Sequence, residues 1–578
     1  MTANSESNPT ATLVSRPRWQ QGAGMLLWMG LLATPWLAAH LMKSDLTAAP
    51  HNDDWLYARS VQVLSDQGRY QHVTQHGQLA ASVVSHVGWG RLFIGDEFEY
   101  EDLHLSQAVA GWLVCCCLFA ASLRLGVAKA PALLATVSLL IHPLFWGHTF
   151  TFMTDITALM YMSGALLCFV LSRNLQSITM ILAGSVLSAM ALWSRQTHVL
   201  IILVPLVVLG FKRDDFSLLQ VVSRTLAITV IPVLAWAVFE FGWLVPGDQQ
   251  RASIISVKQW DSERARQTGI YLYGLALLMG MLVLPLSAWG VRRFWDRRDI
   301  AIRVNWVSGT VVLAGLLGVF ITTDARTYIT QSVGYFLQNA HFGPVLFADL
   351  PHPDGSWSYL ADVKWMPIVW QTLTVVSIVA VAMVVAISTS RQRVVEQFGV
   401  PNEMRPWRLG LFVFMVVEIL FMVTMVTNIV DRYWLVLFVP ALLWIVTSDG
   451  FKLSIPPGRT GATLMWLSIF TLAYLSTTFT HDLLVWNHHR GEQMQQWLAV
   501  DGVVARDVDL GADINGWLRT EEDYNSMQRD GDSTRSWRGF AVKSLAHRPR
   551  EGWDTVAVRR WYSWATRRWQ VLYLLEKH

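Results

Sequence analysis

Apolar runs separated by short charged loops recur along nearly the whole chain, and this alternation predicts helices that cross a membrane. A hydrocarbon core takes about 20 apolar residues per helix. Runs of suitable length fall near 22–42, 105–124, 131–147, 155–172, 177–194, 197–211, 223–244, 269–291, 304–323, 366–389, 409–429, 433–448 and 462–480, thirteen candidate spans in all. The junction from Ser194 to Thr197 is so short that it predicts a tight hairpin or a broken helix. Arg16 and Arg18 precede the first run, which is long enough to span and lacks a small-residue cleavage pattern. It reads as a transmembrane helix rather than a cleaved signal.

Sidedness follows from arginine and lysine, which collect in short cytoplasmic loops. With the N-terminus inside, the inner loops carry Arg124 and Lys129, Lys212 and Arg213, Arg292, Arg293, Arg297 and Arg298, then Arg391, Arg393, Arg405 and Arg408, and finally Lys452 and Arg459. An odd number of spans places the C-terminus outside. The expected organisation is a cytoplasmic tail over 1–21, a transmembrane domain over 22–480 and an extracytoplasmic domain over 481–578. Outside segments fall at 43–104, 245–268 and 324–365, the first of them acidic, with an amphipathic helix expected to lie in the interface.

Composition agrees with this picture. Of 578 residues, 53% are hydrophobic and 15% charged, and the mean hydropathy is +0.34, which sets a water-soluble domain aside. Net charge is only +3, so a nucleic-acid partner is not indicated. Cys115, Cys116, Cys117 and Cys168 lie within apolar runs and spell neither a disulfide framework nor a CxxC pair. Tryptophan is abundant at 29 residues, as expected where amphipathic rings anchor helix ends.

The candidate chemistry is concentrated on the outside. HNDDWLYARSVQVL follows the first span and sets Asp53 and Asp54 side by side, with Tyr57, Val61 and Leu64 at helical spacing behind them. Adjacent carboxylates repel, which favours one of them as a general base, whereas an aspartate at this place can equally cap the helix. Asp155 opens the fourth span in FTFMTDITALMYM, where Thr154 or Asp155 can likewise act as a cap. Arg195 and Arg432 stand at span ends, suited either to a phosphate or to snorkelling toward headgroups. His51, His142 and His148 lie nearby without metal-binding spacing.

An acidic pair after the first span, a helix behind it, an aspartate opening the span after the third, the Ser194-Arg195-Gln196 turn and the late DRYW together resemble the GT-C superfamily of membrane glycosyltransferases. The nearest pattern is that of the protein O-mannosyltransferase, lipid A aminoarabinose transferase and RgtA-like group. The resemblance covers about residues 20–480 and implies a GT-C type, all-α polytopic fold of about thirteen helices with a small C-terminal extracytoplasmic domain. It implies a multi-pass enzyme of the inner membrane that moves a sugar from a polyprenyl-phosphate donor to a glycolipid, polysaccharide or protein acceptor at the outer face, inverting the anomeric centre. The base role falls to Asp53, with Asp54 as the fallback, and Asp155 matches the second acidic position. Arg195 and Arg432 would hold the donor phosphate, with Tyr57, Arg59 and His148 as substrate contacts. No metal ligand is assigned, and dependence on a divalent metal stays open.

The first loop departs from the family pattern, reading QHGQLAASVVSHVGWGRLF where a Lys-Pro-Pro-like segment is usual, which leaves the acceptor class open. Two rivals share some of these features. One is an O-antigen ligase-like transferase, and the other is a multi-span transporter or flippase. Against transport stand the undivided chain and the gathering of charge at one face.

Overall fold

The computed structural model describes residues 30–35, 37–39, 50, 54–70, 78–79, 83–241, 250–251, 261–295, 302–303, 305–322, 366–389, 391–392, 404–426, 431–448, 451, 458–499, 508–509, 517, 543–546, 551–564 and 567–577. Asp53 and His51 lie outside these residues.

The described chain is an all-α polytopic membrane protein with a small sheet at its C-terminal end. Among the described residues, six helices are long and apolar enough to cross a membrane, and seven shorter apolar helices stand where the remaining runs predict them. Ahead of the first long helix come α1 (Asp54–Gln67) and α2 (Val84–Arg91). The bundle then continues with α3 (Tyr100–Arg124), α4 (Lys129–Leu140), the short α5 (Pro143–His148), α6 (Thr154–Leu171) and α7 (Ile178–Leu192). The third predicted run, 131–147, is thus two helices. His142 divides them: its Nδ1 accepts from the Leu144 N–H at 3.2 Å and caps α5 ahead of Pro143.

After α7 the chain turns through Trp193 to Arg195, tightens into a 3₁₀ helix over Gln196–Ile202 and continues as α8 (Leu203–Phe211). This interruption falls where the short Ser194 to Thr197 junction predicts a tight hairpin or a broken helix. Further helices are α9 (Leu218–Glu240), α10 (Ser262–Trp295), α11 (Trp306–Thr322), α12 (Met366–Ser388) and α13 (Arg405–Met425). A second 3₁₀ stretch over Asp431–Leu437 leads into α14 (Phe438–Val446), and α15 (Arg459–Leu498) closes the bundle. Each arginine of interest therefore enters its helix through a 3₁₀ segment, whose tighter winding places side chains differently from an α-turn.

Burial sorts the helices. α6 is almost enclosed and carries the core, packing Ile156, Leu159, Ala165 and Phe169 against α3 and α7. α9 is mostly exposed, with Leu226, Val230, Val233 and Leu234 bare on a face that suits lipid. Small residues set the closest approaches. An added Cβ at Gly410 of α13 would fall 2.8 Å from the Val204 carbonyl oxygen of α8, so these helices meet backbone to backbone.

α1 forms where the helical spacing predicts a helix, lies against α2, and turns Ala58 and Val61 into a cluster with Val83, Val87, Leu103 and Phe152. Burying Val61 fully contributes about 2 kcal/mol over leaving it exposed, which fixes the start of α1 against the bundle.

α15 has 40 residues, a length of about 60 Å at 1.5 Å per residue, twice the hydrocarbon thickness, so much of it projects beyond a membrane. On that projecting part sits a four-stranded sheet of β1 (Val508–Asp509), β2 (Lys543–Ala546), β3 (Trp553–Ser563) and β4 (Arg568–Lys577), in the order β1-β2-β4-β3. β1 and β2 run parallel, and the other neighbours are antiparallel. Trp561, Leu572 and Leu574 pack on Leu483, Trp486 and Trp497 of α15. Buried Asp482 ties the two together, accepting from the Ser563 hydroxyl and from the Trp564 N–H at 3.0 Å.

Candidate functional site

Four consecutive residues at the entry to α6 gather the predicted acids and bases. The Phe152 N–H donates to Asp54 Oδ2 at 3.2 Å. Met153 receives Arg432 Nη1 at its sulfur, 3.8 Å away. Thr154 Oγ1 accepts from Arg195 Nε at 3.2 Å, and Asp155 Oδ1 pairs with the same Nε at 3.1 Å. Asp54, Asp155, Arg195 and Arg432, which lie up to several hundred residues apart in sequence, therefore meet along one strip of chain.

Asp54 is fully buried at the first turn of α1. Its carboxylate meets α3, where Tyr100 donates to Oδ1 at 2.8 Å and His104 Nε2 lies 3.3 Å from Oδ2. Tyr100 and His104 are four residues apart on α3, so they share one face and close on the carboxylate together. With the Phe152 N–H, these partners engage both oxygens.

Asp155 does not cap α6, which has Met153 at its N-cap and no side-chain cap; it is buried and bound to Arg195. Its Oδ2 has no hydrogen-bond partner among the described residues. Arg195 lies over the face of Tyr433, 4.3 Å from guanidinium carbon to ring centroid, a stacking that an ammonium could not reproduce. Only its Nε is used by Thr154 and Asp155, which leaves the two terminal nitrogens to reach elsewhere. Arg432 is buried beside the same ring, 5.8 Å from its centroid. Neither arginine snorkels. One tyrosine, from the DRYW motif, lies beside both cations.

A second polar layer supports this strip. His86 of α2 stacks on Phe152 at 4.2 Å and places Nδ1 3.0 Å from Thr157 Oγ1, which also pairs with the Gln107 amide at 2.9 Å. Burial, with Arg195 nearby, pushes the His86 imidazole down to about 3, so it is neutral at physiological pH. Ser85 joins Ser194 at 2.9 Å and anchors the turn that delivers Arg195.

The predicted substrate contacts are less uniformly placed. Tyr57 meets His86 edge to face at 5.4 Å. His148 is buried at the end of α5. Arg59 turns toward Trp517, lying 4.2 Å over its ring and donating to its carbonyl, with Gln62 Oε1 at 2.8 Å. Trp517 in turn stacks on Phe98 and meets the Tyr100 ring edge-on at 5.3 Å, so one residue of the C-terminal region packs against the tyrosine that holds Asp54. Among the described residues no group of three or more His, Cys, Asp or Glu is assembled as a metal centre.

No family model matches the chain, and neither does any curated protein. Solved structures include likenesses at low identity. The chain is similar to ArnT from Cupriavidus metallidurans bound to undecaprenyl phosphate, at 14% identity and a TM-score of 0.37, over 95% of this chain and 98% of that one. It is also similar to the same protein in the apo state, at 13% identity and a TM-score of 0.38, over 96% and 98%.

Sequence reading missed the residues that hold the acids in place. Tyr100 and His104 sit at the end of the acidic stretch 96–102 and read there as solvated loop. Their four-residue spacing was the available signal. Gln107, Thr157, His86 and Glu418 carry no motif, and Glu418 lay unremarked inside an apolar run.

Proposed function

We propose that the chain is a GT-C type glycosyltransferase that moves a sugar from a polyprenyl-phosphate donor to an acceptor at the extracytoplasmic face, by a single inverting displacement. The observation that carries this reading is the strip from Phe152 to Asp155, which brings one caged carboxylate and two arginines within reach of consecutive residues.

Asp54 is the base in this proposal. The acceptor hydroxyl gives its proton to the Asp54 carboxylate while its oxygen forms a bond to the anomeric carbon. The bond from that carbon to the phosphate oxygen breaks, and its electron pair stays on the phosphate. Tyr100, His104 and the Phe152 N–H hold the carboxylate so that no reorganisation is needed at the moment of transfer. Arg195 and Arg432 take the phosphate, whose charge grows as the bond breaks, so they stabilise the transition state more than the ground state. Asp155 and Tyr433 fix Arg195 through Nε and the ring face, which presents the terminal nitrogens as a fork for two phosphate oxygens. Tyr57, Arg59 and His148 are the proposed contacts to sugar and acceptor, and an apolar surface between helices takes the prenyl chain.

The test is turnover in detergent. Purified protein given a polyprenyl-phosphate sugar and a membrane extract as acceptor is expected to transfer the sugar with inverted anomeric configuration, read by NMR of the product. Retention of configuration would contradict the single displacement.

A further inference from the structure

α10 packs against both α12 and α15, and together the three helices partly enclose a cavity of about 1060 Å³, at the top of the usual range for a ligand site. Buried Ser287 and Ala288 of α10 lie at its bottom, and exposed Val376 and Val379 of α12 and Leu467 and Phe470 of α15 form its walls. Any helix set against lipid bares apolar side chains; what sets this surface apart is a cation. Arg567, in the turn between β3 and β4, is exposed and lines the same cavity. Its φ is 54°, in the left-handed region where glycine or asparagine is usual.

The turn is fixed where it stands. The Tyr474 hydroxyl, itself in the cavity wall, donates to the Trp564 carbonyl at 3.4 Å, and Asp482, further along α15, takes the Trp564 N–H. Beside it the exposed rings of Tyr562 and Trp569 meet edge to face across the two strands at 5.9 Å. Amphipathic rings of this kind settle at the boundary between membrane and water, so the turn holds Arg567 at headgroup height over an apolar groove.

We propose that this groove binds a phospholipid of the bilayer with an anionic headgroup, phosphatidylglycerol in chemical class, whose acyl chains fill the groove and whose phosphate pairs with Arg567. The fit is one of charge and of polarity. A guanidinium can take two phosphate oxygens at once. Below it the Ser287 and Ser468 hydroxyls donate to the Leu284 and Leu464 carbonyls of their own helices at 2.7 Å each, which spares the chains an unsatisfied donor. The prenyl chain of a donor has to reach the strip at the entry to α6, yet none of Asp54, Asp155, Arg195, Arg432 and Tyr433 lines this groove. The occupant is therefore a separate lipid, and the proposal stands apart from the donor reading. Lying between the turn of the sheet and three helices, it ties the C-terminal sheet to the bundle.

Native mass spectrometry of the full-length protein in detergent, titrated with phosphatidylglycerol or phosphatidylethanolamine, tests this. The wild type is expected to retain phosphatidylglycerol in preference to phosphatidylethanolamine. Arg567→Gln, a change at an exposed position, is expected to weaken phosphatidylglycerol binding about fivefold and to leave phosphatidylethanolamine unchanged. Leu467→Trp, which fills the groove, is expected to remove retention of both. Phosphatidylglycerol is also expected to slow amide exchange in β4 of the wild type and not in β4 of Arg567→Gln. Equal affinity of phosphatidylglycerol for wild type and Arg567→Gln, or unchanged retention by Leu467→Trp, overturns the proposal. Displacement of the bound phosphatidylglycerol by an equimolar amount of undecaprenyl phosphate overturns it too, because the groove is then a path for the donor's chain.

Discussion

Tyr100 donates its hydroxyl to Oδ1 of Asp54 at 2.8 Å, across a boundary between the first polar segment and the first long helix of the bundle. That bond fixes the carboxylate in position, and it separates two effects that mutation can resolve. Asp54→Asn keeps the size of the side chain and removes its ability to take a proton; transfer is expected to fall by about 10²-fold or more, with little change in thermal unfolding. Tyr100→Phe leaves the base in place but loosens it, and about a tenfold loss is expected. Steady-state rates together with unfolding midpoints check both.

Asp155 and Arg195 form a buried pair, and removing one member strands the other. Asp155→Ala is expected to destabilise by about 3 kcal/mol, and the double variant with Arg195→Ala by less than the sum. A double-mutant cycle on unfolding reads this coupling. Arg195→Lys is not a mild change here, because the ammonium cannot stack on Tyr433 while pairing through Nε; donor KM is expected to rise.

His86 makes stability depend on pH in a definite direction. Its pKa is about 3 in the folded chain against about 6.5 when unfolded, so between these values the unfolded state binds the additional proton. Stability is therefore fully present above about 6.5 and is lost on acidification toward 3, at up to about 1.4 kcal/mol per pH unit. His86→Phe is expected to flatten that slope in unfolding measurements between pH 7 and 4.5. An unchanged slope would place the acid sensitivity elsewhere.

Asp482 tests the attachment of the sheet. Asp482→Asn keeps one acceptor but weakens the pairing with Ser563 and the Trp564 N–H. Backbone amides of β3 and β4 are expected to exchange hydrogen faster by about tenfold, while those of α6 keep their protection. Hydrogen exchange read by mass spectrometry separates the two.

Much of this architecture was legible in the sequence because membrane burial is written in hydropathy. Helices appear where the runs of apolar residues fall, and the short Ser194 to Thr197 junction foretells an interruption there. Asp54, Asp155, Arg195 and Arg432 could be named because charge at the end of an apolar run is conspicuous. What joins them could not. Tyr433 lies beside both arginines because two 3₁₀ segments, distant in sequence, converge on α6, and no local pattern encodes that convergence. The split of the third run came from His142 and Pro143, whose helix-breaking geometry a hydropathy count overlooks. Glu418 escaped notice because one acid in an apolar run does not disturb the average.

The most direct measurement follows lipid phosphate release from a labelled polyprenyl-phosphate sugar by purified protein in detergent, with acceptor extract, for wild type and Asp54→Asn. The account predicts that wild type releases one lipid phosphate per sugar transferred with no sealed compartment, and that Asp54→Asn binds the donor with unchanged affinity yet releases none above background. Release at the wild-type rate by Asp54→Asn, or activity that appears only in sealed vesicles, would contradict it.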